Sequence, residues 1–281
     1  MSRYFNEQFR KTVEVNNTIL SYRDIGKGFP IVLIHGMTLS SCSYYKTVDI
    51  LLQNGFRVIL IDLPGHGDSI IPPKNFSFSI ENLSFTIISL IQKLNIKNFH
   101  IVGHSMGGII SLYIASVYSR YIKKVVVINT PVFGSPHRLL LSYPFIGEIM
   151  ELFLGKWMIR KYLASMKLNE KENSVAINEY INKSEKKGFW LMLTRFSNEI
   201  FSNEFIKMVK NYKNFKNETL ILWGEKDDWL PFTNAQKFDI ILPSSKLSII
   251  KNCGHNPHEE CSKEFNKLLL NFHIQQIKGI F

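Results

Sequence analysis

Ser105, Asp227 and His255 are of the types needed to cleave an acyl bond. Serine at its free pKa is a poor nucleophile, so it needs a base within hydrogen-bond reach, and an imidazole base needs a carboxylate to orient it. Ser105 sits in Gly103-His104-Ser105-Met106-Gly107, after the apolar run Phe99 to Val102 and before the apolar, small-residue segment Ile109 to Tyr118. That order reads as strand, sharp turn, helix, with the hydroxyl standing clear where the backbone is pinched. Gly103 and Gly107 flank the serine where any side chain would collide as strand and helix fold together. The N–H of Met106 opens the helix and points to where an oxyanion would form.

The other candidates also follow short apolar runs. His35-Gly36-Met37-Thr38 comes after Ile31 to Ile34. There the Met37 N–H offers a second oxyanion donor, and Gly36 lets the loop approach closely. Asp227 follows Leu220 to Trp223 in Gly224-Glu225-Lys226-Asp227-Asp228, with Asp228 its nearest rival as the orienting acid. His255 follows Leu247 to Ile250 and is preceded by Gly254, whereas the rival His258 lacks a preceding glycine. The stretch Asp62 to Ser69 reads as a structural turn, with Asp62 and His66 bonding local backbone.

The runs themselves are continuously apolar and rich in branched residues, a pattern that suits strands buried on both faces of a parallel sheet. Val58 to Ile61 and Val125 to Ile128 repeat it, and between the runs lie helical stripes such as Leu83, Ile87, Leu90, Ile91 and Leu94. Thr12 to Val15 and Ile19 to Ile25 flank Asn16-Asn17, a pair that tolerates positive φ, and read as an opening hairpin. The expected fold is therefore α/β, a mostly parallel central sheet with helices on both faces. From Pro131 to about Asn217 no buried strand is evident, only amphipathic helical stretches, too long for a simple crossover. We expect a helical insertion over the C-terminal edge of the sheet.

At 281 residues, 45% hydrophobic and 20% charged, the chain has an ordinary globular composition. Its net charge of +11 is scattered, without a basic stripe interleaved with aromatics, so nucleic acid is not an expected partner. Leu139 to Ile159 is broken by Pro144, Glu148, Glu151 and Lys156, so stable membrane insertion is not expected. Met1 to Thr12 has no apolar secretory core, and the expected location is the cytoplasm. Cys42, Cys253 and Cys261 suggest neither a disulfide scaffold nor a zinc site, and their spacing leaves open whether Cys253 meets Cys261. The oligomeric state is not readable.

Taken together, His35-Gly36, Asp62-x-Pro-Gly-His-Gly-x-Ser69, Gly103-His-Ser-Met-Gly107, Gly224-x-x-Asp227-x-x-x-Pro231 and Gly254-His255-x-Pro257 resemble the α/β-hydrolase fold superfamily. The likeness is to its lid-bearing serine hydrolases: esterases, thioesterases and C–C hydrolases. It spans about Val13 to His273, and Ser, Asp, His is the chain order in which this topology assembles a triad. The resemblance implies Ser105 as nucleophile, His255 as base, Asp227 as acid, and the N–H groups of Met37 and Met106 as the oxyanion hole. Some relatives carry the acid after the strand that follows the nucleophile helix; that place falls near Asn129, which has no carboxylate.

On this reading residues 1–130 and 218–281 form the α/β-hydrolase core, and 131–217 form a helical lid. The substrate is a small ester, or a related acyl compound, with a hydrophobic part; thioester, amide and C–C bonds share the same chemistry, and a non-catalytic receptor is the third possibility. His35, Gly36, Phe133, Trp157 and Trp190 are expected at the substrate, within an apolar wall that extends to Phe189 and Phe196. No metal or organic cofactor is called for.

Overall fold

The asparagine pair takes the left-handed conformation that the hairpin needs: Asn16 has φ 49° and Asn17 φ 57° in a computed structural model of the chain. The structure describes residues 3–131, 146–166, 170–200 and 215–274. Strands β1 (Lys11–Val15) and β2 (Thr18–Ile25) form that hairpin, followed by β3 (Phe29–Ile34), β4 (Phe56–Ile61), β5 (Phe99–His104), β6 (Ile122–Ile128), β7 (Glu218–Gly224) and β8 (Ser245–Ile250). They make an 8-stranded sheet in the order β1-β2-β4-β3-β5-β6-β7-β8, in which β2 alone runs against its neighbours. Beyond the exposed Phe29 and the half-buried Pro30 at the start of β3, the apolar residues of β3, β4, β5 and β6 are buried on both faces, because helices cover both.

Helices α1 (Val48–Gln53), α2 (Ile80–Lys93) and α3 (Met106–Val117) connect the central strands. On α2 the stripe Leu83, Ile87, Leu90 and Ile91 is buried, while Phe85 on the opposite side is 50% exposed. β8 departs from the expected double burial: it is the sheet's edge, and Ile249 is 42% exposed. An apolar run cannot tell an edge strand from a central one.

Between β6 and β7 the described residues form α4 (Ile146–Ile149), which continues through a π-helical turn (Met150–Leu154) into α5 (Gly155–Ser165), then α6 (Glu170–Ser184) and α7 (Phe189–Ile200). Their buried residues, Trp190 and Phe196 among them, join the same hydrophobic core that covers one face of the sheet. They are also tied to the loops after the strands. Lys183 on α6 pairs with Asp68, Lys186 donates to the Gly67 carbonyl, and Arg195 on α7 donates to the Phe76 carbonyl at 2.6 Å. The short basic cluster Lys183 to Lys187 is thus partly a docking device. Among the described residues no helix is long and apolar enough to cross a membrane. After β7 come α8 (Thr233–Ile241), α9 (Pro257–Glu260) and α10 (Ser262–Ile274).

The question that the cysteine spacing leaves open is answered by the structure. Cys253 and Cys261, 8 residues apart with Cα atoms separated by 6.1 Å, form a disulfide. An odd cysteine count and an unremarkable spacing gave no sign of it, because the loop between them must close before the sulfurs meet. Cys42 is buried and takes no part in that bond. Protein unfolded without reductant is therefore expected to show one thiol to Ellman's reagent, rising to three after reduction. Three thiols before reduction would remove the bond.

Candidate active site

Ser105 adopts φ 51°, a conformation rare for a residue with a side chain, between the end of β5 and the start of α3. The flanking glycines show why that turn is possible. A Cβ on Gly103 would lie 2.2 Å from the Gly107 carbonyl oxygen, and one on Gly107 would lie 2.4 Å from the Ile34 carbonyl oxygen. Strand and helix therefore touch backbone to backbone, and the serine is left at the apex. The Ser105 N–H donates to the Ile128 carbonyl at 2.7 Å, anchoring the apex to β6.

Asp227 lies just beyond β7. Its Oδ1 accepts the N–H groups of Trp229 at 2.8 Å and Leu230 at 2.9 Å. Its Oδ2 accepts from the Asn129 side-chain amide at 2.6 Å, while Asn129 Oδ1 accepts the Gly224 N–H at 3.1 Å. Burial raises the cost of ionising this carboxyl, yet His255 and these donors outweigh burial and hold its pKa below the ordinary value. The remaining partner is His255, whose Nδ1 lies 2.8 Å from Asp227 Oδ2, with the carboxylate 1% exposed and the imidazole 10%. Of the rival residues, Asp228 is exposed, and His258 is fully buried between the rings of Tyr44 and His104 with its pKa lowered by burial to about 3.

The His255 loop is joined to the serine turn by the residue next to Ser105: His104 Nε2 donates to the His255 carbonyl at 2.9 Å, with the two rings 4.9 Å apart. On the other side, the loop after β3 presses on the serine. A Cβ on Gly36 would stand 3.3 Å from Ser105 Cβ, so the backbone of Gly36-Met37 runs alongside it. Met37 is half-buried there, and Met106 supplies the first N–H of α3, which has no acceptor within its own helix. Asp62 and His66 behave as a structural turn should. Asp62 accepts the N–H groups of Ser41 at 2.8 Å and Asp68 at 2.9 Å, and His66 Nδ1 donates to the Pro64 carbonyl at 3.1 Å.

The expected substrate contacts fare differently. His35 is fully buried, with Nδ1 donating to the Gly36 carbonyl at 2.7 Å and Nε2 accepting the Leu63 N–H at 3.0 Å, so both ring nitrogens are taken up by backbone. Trp190 packs at 6% exposure against Phe189 and over Gly155, where a Cβ would meet its indole nitrogen at 2.1 Å. Phe189 and Phe196 close on the His66 ring within the same packed region. Trp157 points outward at 59% exposure, under the Lys161 ammonium. Phe133 lies outside the described residues. Instead, a cleft beside His255 is lined by Ser165 and Met166 from the end of α5 and by Trp229 from the loop after β7. Tyr162 stacks edge-on against Trp229 at 5.1 Å and donates to Asn256 Oδ1 at 3.3 Å. The place near Asn129, where some relatives carry the acid, here supplies an amide to Asp227 instead, and no sequence pattern marks Tyr162, Met166 or Trp229 as neighbours of the His255 loop.

Comparison with known proteins adds an independent finding. A family model described as alpha/beta hydrolase fold matches residues 30–261. The 2-hydroxy-6-oxononadienedioate/2-hydroxy-6-oxononatrienedioate hydrolase of Escherichia coli is 26% identical over 288 residues, spanning 96% of this chain and 95% of its own length. An uncharacterised hydrolase of Bacillus subtilis is 25% identical over 247 residues, covering 86% of this chain and 89% of that protein. A thermophilic esterase from Thermogutta terrifontis superposes with a TM-score of 0.78 at 19% identity, over 94% of this chain and 98% of that one.

Proposed function

Because the chain belongs to the α/β-hydrolase fold family, we propose that it is a serine hydrolase acting through an acyl-enzyme on Ser105, with a carboxylic ester as its substrate class. The observation that carries this reading is the buried Asp227–His255 hydrogen bond, beside a serine held at positive φ on the neighbouring turn. With Nδ1–H donated to the carboxylate, His255 presents Nε2 as the acceptor for the Ser105 proton. The serine oxygen attacks the acyl carbon, and the N–H groups of Met37 and Met106 receive the oxyanion; losing one such donor costs about 10²- to 10³-fold in rate. His255 then passes the proton to the leaving group, and water repeats the sequence on the acyl-enzyme. The carboxylate keeps its charge throughout and stabilises the imidazolium that forms.

In this reading the helices between β6 and β7 act as the lid, and Tyr162, Met166 and Trp229 give the apolar contact for the acyl or alcohol part. A second reading changes only the bond. The likeness to the Escherichia coli dienedioate hydrolase along nearly the whole chain favours C–C cleavage of a vinylogous diketone by the same three residues. Two measurements decide. Labelling of Ser105 by a fluorophosphonate, lost in Ser105→Ala, is expected of either enzyme and absent from a receptor. Initial rates on p-nitrophenyl esters of increasing acyl length, beside rates on a 2-hydroxy-6-oxo-dienoate, then choose the bond.

A further inference from the structure

We propose that Glu260 is a positioning residue for the base, its carboxylate gripping the backbone on both sides of His255. Glu260 Oε2 accepts the Gly254 N–H at 3.0 Å, and Oε1 accepts the Asn256 N–H at 2.9 Å. The bond to Asn256 alone would be an ordinary helix cap, since Asn256 precedes α9. The bond to Gly254 is not: it reaches past the helix to the far side of the histidine. With both N–H groups bound to one rigid carboxylate, the peptide carrying His255 cannot rotate without breaking a charge-assisted hydrogen bond.

Two further features fit that role. A Cβ on Gly254 would stand 2.5 Å from Glu260 Oε2, so glycine is needed there to admit the carboxylate. The Cys253–Cys261 disulfide then closes the loop one residue outside each end of the grip. The loop is also fixed to its acid, because Lys226 donates its N–H to the Cys253 carbonyl at 2.7 Å, next to Asp227.

The assignment rests on His255 being the base, and its test is built to separate the two. The groups that act on the imidazole are Asp227 from the loop after β7, His104 from β5, and His258 and Glu260 from α9, with Lys226 and Asp228 at the rim of the same cleft. Glu260→Gln keeps the shape but removes the charge and turns an amide N–H toward one of the two donors. Its kcat on a p-nitrophenyl ester is expected to fall about 10- to 100-fold with KM changed less than about twofold. In ¹H NMR the downfield Nδ1–H proton that His255 shares with Asp227 is expected to vanish, since the backbone carrying the ring is released. Glu260→Asp keeps the charge but is one methylene too short to reach both N–H groups, so kcat and that proton signal are lost in the same way. A purely structural role would lower the melting temperature of both variants and leave kcat per folded molecule and the His255 Nδ1–H signal unchanged, which would overturn the proposal. If His255→Ala retains ester turnover, the reading of the base fails instead, and the NMR arm still reports whether Glu260 holds the His255 ring against Asp227.

Discussion

Ser105→Ala is expected to lower kcat by about 10⁴- to 10⁶-fold on any ester the protein turns over, with KM little changed. The size follows from the geometry. At Ser105 the backbone is held at φ 51° by contacts that do not involve the hydroxyl, so alanine fits the same turn and removes only the attacking atom. His255→Ala should cost about as much, and the double variant little more, because a nucleophile without its base and a base without its nucleophile fail at the same step. Asp227→Asn is the sharper probe. Its amide would replace the carboxylate that now accepts from His255, Asn129, Trp229 and Leu230, turning N–H groups toward N–H donors and favouring the wrong imidazole tautomer. A drop of about 10⁴-fold is expected. Steady-state kinetics on equal concentrations of folded protein would read all four. Activity within tenfold of wild type in Ser105→Ala would place the nucleophile elsewhere.

The parts of this site visible in the sequence were those fixed by short-range constraint. Gly103 and Gly107 are required by steric contacts within one strand–turn–helix unit, and Asp227 and His255 each follow an apolar run that ends at the same edge of the sheet. The substrate contacts were illegible for a reason visible in Trp157 and Trp190. Both lie in the inserted helices, but one is rotated outward and the other inward onto Gly155, and only packing decides which. His35 sits beside the serine turn in the sequence pattern, but only the folded loops show that its ring is bonded to the backbone of Gly36 and Leu63. Asn129 and Glu260 escaped because each acts by hydrogen bonds that exist only after separate loops have closed: Asn129 reaches Asp227 across 98 positions, and Glu260 folds back over its own helix. An Asn after a strand, or a Glu in a one-turn helix, carries no local mark of such a role.

The second large effect concerns acid. His35 is lowered by burial to about 4, and His66, His100 and His258 to about 3; His104 and His273 are also pushed down by burial. In the unfolded chain these imidazoles titrate near 6.5. The folded protein thus binds fewer protons than the unfolded one from about pH 6.5 downward, so the stability these groups contribute is fully present above 6.5 and lost as pH falls. Each costs about 1.4 kcal/mol per pH unit in that window, and the four whose values are known together cost about 5. Glu259 opposes them with a single proton: its carboxyl, fully buried and bonded to Tyr180 at 2.7 Å, is raised by burial to about 8, so its contribution is lost as pH rises instead. Glu179 and Glu260, also raised by burial, act in the same sense as Glu259, but the six lowered imidazoles outnumber these three carboxyls. A domain with about 5–15 kcal/mol of stability should therefore unfold cooperatively with a midpoint near pH 5. Denaturant melts at pH 7.5 and 5.5 would show the loss. His258 gives the decisive variant, since neither ring nitrogen has a hydrogen-bond partner among the described residues. His258→Leu removes one titrating group without breaking a bond, and its stability should fall with pH less steeply by about 1.4 kcal/mol per unit. Equal slopes in variant and wild type would mean that this imidazole is not held neutral by burial.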